Sequence, residues 1–188
     1  EETNAPYGLA KKMLLVQLQA YFDEYRFPGI YVLPVNLYGP GDNFDLESSH
    51  VLPAMIRKMH DAKALGLQQV TLWGTGRVRR EFLHVDDAAE ACWYLLEHYD
   101  APEPINVGTG EDLMIVELAE LVKEIVGYDG GLAWDTHKPD GTPRKQLDTR
   151  RINDLGWTPR ITLEEGIRKT YEWFLAHVES DARGVDHG

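Results

Sequence analysis

The sequence predicts an α/β fold built on a parallel sheet, and three observations predict it. A long helical stretch, from Tyr7 to about Tyr25, passes through the break Phe27-Pro28-Gly29 into the short apolar segment Ile30–Val35. A helix feeding a buried strand is the pattern of a parallel sheet with covering helices. Helical and strand-like stretches then continue to alternate along the 188 residues, and 43% hydrophobic content is ample for a core.

Composition narrows the partners. A net charge of −12 speaks against a general nucleic-acid or anionic-membrane surface, since both need an excess of Lys and Arg. The single cysteine, Cys92, allows no internal disulfide and is expected as a small buried hydrophobe in its helical run. No apolar run approaches the ~20 residues of a membrane span. No signal peptide opens the chain, so a cytoplasmic location is expected. The seven histidines lack metal-ligand spacing, and no metal site is expected.

The first helix carries the strongest chemical signal. In Tyr7-Gly8-Leu9-Ala10-Lys11 the phenol and the ammonium are four residues apart and share one face. A cation one turn away favours the phenolate, which would make the phenol a readier proton donor near neutrality. With nine tyrosines a chance match is common, so the setting matters. Leu14, Leu18, Tyr21, Phe22 and Tyr25 form an apolar stripe on the side of the pair, and Leu9, Met13, Val16 and Ala20 form another opposite. A helix apolar on two sides is buried on both. One side suits its own domain and the other a second subunit, so a homodimer through this helix is expected.

After the strand Ile30–Val35, the run Asn36-Leu37-Tyr38-Gly39-Pro40-Gly41-Asp42-Asn43 reads as a loop, and a site wall is expected there because ligands bind beyond the carboxyl ends of parallel strands. Ser48 or Ser49 can cap a helix from His50 to about Leu65, which sets His50 beside that loop. Val70–Trp73 and Arg80–His84 are strand-like and are expected to form a hairpin through Gly74-Thr75-Gly76. Neither this Gly-x-Gly nor Gly108-Thr109-Gly110 has the third glycine and following helix of a dinucleotide loop. Arg77 and Arg79 are expected on a solvated face, while Arg80, beside Trp73 and Phe82, can give a phosphate bidentate bonds.

Asp86 is placed to cap a helix running to about Tyr99, with Asp87 favouring its positive end. A helix over about Ile115–Val126 stops at Gly127, and Leu132–Trp134 is a short strand. The stretch His137–Lys145 is turn-rich and charged, Thr162–Glu165 is a capping box opening a helix to about His177, and the polar tail from Glu179 is expected to fray.

Several stretches together resemble the extended short-chain dehydrogenase/reductase superfamily, and within it the GDP-L-fucose synthase family. They are Pro6–Lys11, Pro34–Pro40, Asp42-Asn43-Phe44, Ser49-His50-Val51, Arg80–Asp87, Ile105–Gly110 and Lys138–Lys145. The resemblance runs from Pro6 to about His177. It implies the C-terminal part of a Rossmann-type doubly wound sheet plus a smaller α/β substrate-binding domain. Residues 1–42 would end the dinucleotide-binding domain and 43–188 would be mainly substrate-binding, with about 84–110 returning to the Rossmann sheet.

The implied reaction is NADP(H)-dependent: epimerisation at carbons 3 and 5 of GDP-4-keto-6-deoxy-D-mannose, then reduction at carbon 4 to GDP-L-fucose. By position, Tyr7 would protonate the enolate oxygen, Lys11 would tune Tyr7 and hold the nicotinamide ribose, and Pro34, Val35, Asn36 and Leu37 would line the nicotinamide end. His50 would return protons during epimerisation and border the cofactor. Lys58, Trp73, Arg80 and Asp140 would bind the GDP-sugar. The family's glycine-rich phosphate loop, active-site serine and cysteine base belong upstream of Tyr7 and are not in this sequence; Cys92 does not replace the last. Two other readings stay open: another nucleotide-sugar epimerase or dehydratase, and a GDP-sugar-binding unit without chemistry.

Overall fold

The computed structural model describes residues 5–183, with side chains described through residue 177. The first helix, α1, spans Ala5–Tyr25. Strand β1 (Val32–Pro34) follows and pairs in parallel with β6 (Ile105–Val107), and Val35 continues the ladder by donating to the Val107 carbonyl. The expected loop at Asn36 begins later. Asn36–Tyr38 form β2, paired in parallel with β5 (Phe82–His84). The chain changes partner at Val35 instead of leaving the sheet, and Tyr38 is buried, which its polar neighbours hid.

Helix α2 spans Val51–Ala64, and His50 in extended conformation is its cap residue without a side-chain bond. Ser48, one of the two expected caps, is instead tied to Asp45. Strand β3 (Gln69–Trp73) pairs in parallel with β8 (Gly131–Asp135). The expected hairpin is therefore wrong. The next strand, β4 (Arg79–Arg80), lies between β7 (Leu113–Met114, antiparallel) and β9 (Arg144–Lys145, parallel). Two left-handed glycines, Gly74 and Gly76 (φ 81° and 72°), re-aim the chain between them. Gly74 N–H donates back to Asp135, and the Gly76 carbonyl accepts from Val116, so the turn is bound to neighbours other than β4.

Helix α3 spans Val85–His98, and its cap is His84, whose Nδ1 accepts from the Asp86 amide, so Asp86 is not the cap expected. Asp87 does more than complement the helix dipole. It is buried, and its carboxylate accepts from the Arg160 and Ile161 amides. Cys92 is exposed, against expectation. The packed face of α3 is Ala88, Ala91 and Leu95, one residue out of phase with Cys92.

Helices α4 (Ile115–Val126), α5 (Arg150–Asp154) and α6 (Leu163–Arg183) complete the chain, and Thr162 Oγ accepts from the Glu165 amide at the start of α6. The fraying expected from Glu179 is not seen up to Arg183, and residues 184–188 lie outside the described residues.

Two cores hold these elements. One joins α2, α4 and α6 through Ile56, Met59, Leu118, Val122, Ile167 and Phe174, with Val70 and Leu72 of β3. The other packs Ala91, Leu95 and Ile152 against Ile105, Val107 and Leu83, with Val32 and Val35 alongside. Helix α1 fully buries none of its residues; Leu9, Met13, Val16 and Ala20 are exposed, while Leu18 and Phe22 of the other stripe are half-buried. No helix among them is long and apolar enough to cross a membrane.

Candidate active site

A cavity of about 950 Å³ opens where β1 ends, and five parts of the chain wall it, Phe82 of β5 among them. Helix α1 contributes Tyr7, Lys11 and Leu14, and the β1–β2 strand contributes Tyr31 to Leu37. The following loop adds Asp42, and the start of α2 adds His50 to Pro53. The structure thus brings Tyr7, Lys11, His50, Pro34, Val35, Asn36 and Leu37 to one space, although they span more than forty positions. The reason is topological. A parallel strand delivers its C-terminal end to the same edge as the helix beginnings that follow.

Within the cavity, the Lys11 ammonium lies over the Tyr7 ring, 5.4 Å from its centroid, and Tyr7 is 68% exposed. Tyr31, which the sequence reading passed over, donates from its hydroxyl to the Lys11 carbonyl at 2.7 Å and so ties α1 to β1. Asn36 is fixed by a 2.7 Å bond from its Nδ2 to the Glu81 carbonyl. Asp42 lies on the wall expected of the Asn36–Asn43 run, although it was not singled out as a site residue. Its Oδ1 accepts from the Asn43 amide, and its Oδ2 is shielded without a protein partner among the described residues.

The second cluster forms on the other side of the first turn of α2. The exposed Trp73 ring has Lys58 Nζ 5.5 Å and Lys138 Nζ 5.0 Å from its centroid. Beside it lies a cavity of about 220 Å³ walled by Leu46, Ser49, Met55, Lys58, Leu72 and Trp73, among others. Burial holds the Lys58 ammonium below its ordinary value. Asp140 is clamped by Thr75: Oδ1 accepts from the Thr75 amide at 2.6 Å and Oδ2 from its hydroxyl at 2.7 Å. Those bonds hold its carboxyl below the usual range. Arg80 reaches the Asp140 carbonyl at 3.5 Å. Lys58 and Trp73 wall the smaller cavity, while Asp140 and Arg80 join the cluster through Thr75 and the Asp140 carbonyl without lining it. Val51 borders both cavities, so this rim adjoins the Tyr7–Lys11–His50 space.

Arg79 departs from the solvated face expected of it. It pairs at 2.8 Å with Asp112, whose side chain is only 3% exposed, and Asp112 also binds Arg144. The β7–β4–β9 sheet is thus cross-linked by one carboxylate between two guanidiniums, while Arg80 of β4 donates to the Asp140 carbonyl. Among the described residues no group of three or more His, Cys, Asp or Glu is placed to hold a metal ion.

Comparison with known proteins follows this geometry. The family model described as NAD dependent epimerase/dehydratase matches residues 1–108. The chain belongs to that family. Among curated members, GDP-L-fucose synthase 1 of Arabidopsis thaliana is 51% identical over 95% of this chain and 55% of its own length. GDP-L-fucose synthase of Escherichia coli is 45% identical over 93% of this chain and 57% of its own length. The chain thus spans little more than half the length of the epimerase/dehydratase relatives it matches.

Among solved structures, a GDP-L-fucose synthetase from Naegleria fowleri bound to NADP superposes with a TM-score of 0.88 at 31% identity, covering 96% of this chain and 58% of that one. A UDP-glucose 4-epimerase from Thermotoga maritima superposes at 0.82 and 30% identity, covering 92% and 54%. The α/β reading and its Rossmann-type setting therefore hold for this family member.

Proposed function

We propose that the chain carries the catalytic helix and the substrate half of an NADPH-dependent 3,5-epimerase-4-reductase that converts GDP-4-keto-6-deoxy-D-mannose to GDP-L-fucose. The supporting observation is the shared wall at Val51, where the space holding Tyr7, Lys11 and His50 meets the rim of Lys58, Trp73, Arg80 and Asp140. A keto-sugar linked to a diphosphate fits that pairing: the ring lies toward the proton-transfer groups and the phosphates toward the cations. Curated relatives at 45–51% identity carry the name GDP-L-fucose synthase, which favours guanosine over other nucleosides.

The residues present also suit the nicotinamide end of NADP(H). Lys11 stands at one side of the cavity and Pro34 to Leu37 form the facing wall, a largely apolar cleft with one cation. When bound there, the cofactor supplies hydride to carbon 4. The chain's own part is proton traffic. Tyr7 donates a hydrogen bond to the carbon-4 oxygen, which stabilises the enolates formed at carbons 3 and 5, and later gives that oxygen its proton. The adjacent Lys11 ammonium stabilises the phenolate left behind. His50 returns protons to carbon during epimerisation. Arg80 and Lys58 hold the diphosphate, while Asp140 accepts from sugar hydroxyls at the cost of competing with Thr75.

The division at residue 42, with 84–110 returning to the dinucleotide-binding sheet, is supported by the β1–β6 pairing and by the separate second core. A homodimer through α1 is supported by the exposed stripe of Leu9, Met13, Val16 and Ala20. The one exposed cysteine suits a reducing compartment, and we place the protein in the cytoplasm.

The test is NADPH oxidation with the keto sugar in protein that carries this chain at its relatives' full length. Tyr7→Phe should lower turnover by about 10²–10⁴-fold. His50→Ala should suppress solvent deuterium uptake at carbons 3 and 5 while leaving nucleotide binding intact. Undiminished exchange in His50→Ala would remove His50 from the mechanism.

A further inference from the structure

We propose that Glu81, which lines neither cavity facing the chemistry as a side chain, is the positioning residue that holds the nucleotide-sugar rim to the catalytic wall. The inference rests on the proposed GDP-sugar site for its ligand but not for its geometry. Glu81 joins β4 to β5 and is fully buried, at 0% exposure. A buried carboxylate is expensive unless its oxygens are satisfied. Here Oε1 accepts from the Gly110 amide at 2.7 Å, with the Thr109 hydroxyl at 3.4 Å, and Oε2 accepts from the Leu147 amide at 2.9 Å. Its carbonyl is the acceptor that fixes Asn36 Nδ2.

One residue therefore ties four segments. The loop after β6 and the segment after β9 meet at its carboxylate, the cavity wall meets its carbonyl, and Arg80 precedes it in the chain. The segment ending at Leu147 is the one that brings Lys138 to Trp73 and Asp140 to Thr75 and Arg80. Gly108-Thr109-Gly110, a glycine pair with no phosphate loop to serve, acquires a purpose in this arrangement. A Cβ at Gly108 would collide with Glu81 Oε1 and Val35, so the glycine leaves room for the carboxylate, and Gly110 supplies its donor.

The chemistry of the bonds selects the variant. Both carboxylate oxygens face backbone N–H donors, so Glu81→Gln keeps the volume but must turn an NH₂ toward either Gly110 or Leu147. One charge-assisted bond is lost and a donor–donor contact replaces it. The rim should loosen locally while the α2–α4–α6 core is unaffected.

The experiment uses this chain, with Val122→Ala in the remote core as the control for general destabilisation. Amide hydrogen exchange is followed across residues 138–149, and GDP binding by calorimetry. Glu81→Gln should speed exchange in that segment and weaken GDP binding about tenfold, whereas Val122→Ala should lower the melting temperature and leave both unchanged. Exchange at wild-type rates in 138–149, or GDP affinity equal to wild type, overturns the proposal. If Glu81→Gln does not fold, the wild-type amides decide. Gly110 and Leu147 should be the slowest to exchange in their loops, and fast exchange at both overturns it. A wild-type chain that binds no GDP defeats the functional reading alone, and the exchange data then judge Glu81.

Discussion

Replacing Asp87 with asparagine should cost the fold about 2 kcal/mol, and the structure shows where that figure comes from. The carboxylate is 3% exposed and receives the Ile161 amide at 2.9 Å and the Arg160 amide at 3.2 Å, one on each oxygen. Asparagine has the same shape but one acceptor, so one amide loses a charge-assisted bond, worth about 1.5–3 kcal/mol. A further ~0.3–1 kcal/mol is lost because the charge sits in the first turn of α3. Relief of carboxylate desolvation offsets part of this. Urea unfolding followed by circular dichroism measures it: with a slope of about 1–3 kcal/mol/M, the midpoint should fall by about 1 M at unchanged slope. Asp86→Asn is the internal control, because that side chain is 69% exposed and should lose only the first-turn charge, about 0.3–1 kcal/mol. A midpoint shift for Asp87→Asn no larger than that of Asp86→Asn would refute the reasoning.

Two further outcomes follow from the same structure. Burial draws the His84 pKa below its ordinary value, so the unfolded chain binds the proton more readily. Stability from this residue is then fully present above about pH 6.5 and is lost as pH falls from there through the folded-state pKa. His84→Asn, which keeps a capping acceptor for α3, should flatten the melting-temperature profile below about pH 6.5, and an unchanged profile would absolve His84. For the homodimer, charged substitutions at Leu9 and Met13, which are 67% and 64% exposed, should lower the sedimentation coefficient of the full-length protein. An unaltered coefficient counts against association through α1.

Much of the architecture was legible because its signals are local. The apolar strand Ile30–Val35, the stop at Gly127 and the Thr162 side-chain cap (one half of the expected box) each depend on a few neighbours, and each has its counterpart in the structure. What escaped depends on distant partners. Asn36–Tyr38 look like a loop until β5 arrives more than forty residues later to pair with them. The supposed hairpin fails because β8 and the β7–β9 pair compete for the two strands it would have joined. Asp87 reads as a helix-dipole charge, since nothing near it announces that Arg160 and Ile161 will bring their amides to it. Cys92 illustrates phase: a one-residue error in the packed face of α3 moves a side chain from core to surface.

The site divides the same way. Tyr7 and Lys11 are readable from their spacing together with its helical setting, and Arg80 from its aromatic neighbours. Their convergence with His50 and Pro34 to Leu37 in one cavity is a consequence of strand order that no spacing conveys. Tyr31 and Asp42 were not singled out because a lone tyrosine before a strand and an aspartate in a turn are ordinary residues. Only the 2.7 Å bond to Lys11 and a place on the cavity wall distinguish them.

Calorimetric titration of this chain with GDP, UDP and dTDP tests most directly whether the rim of Lys58, Trp73, Arg80 and Asp140 is a guanosine-diphosphate site. The account predicts saturable heat with GDP, markedly weaker heats with the two pyrimidine nucleotides, and loss of most GDP affinity in Arg80→Ala. Equal heats for all three nucleotides, or none with GDP, would contradict it.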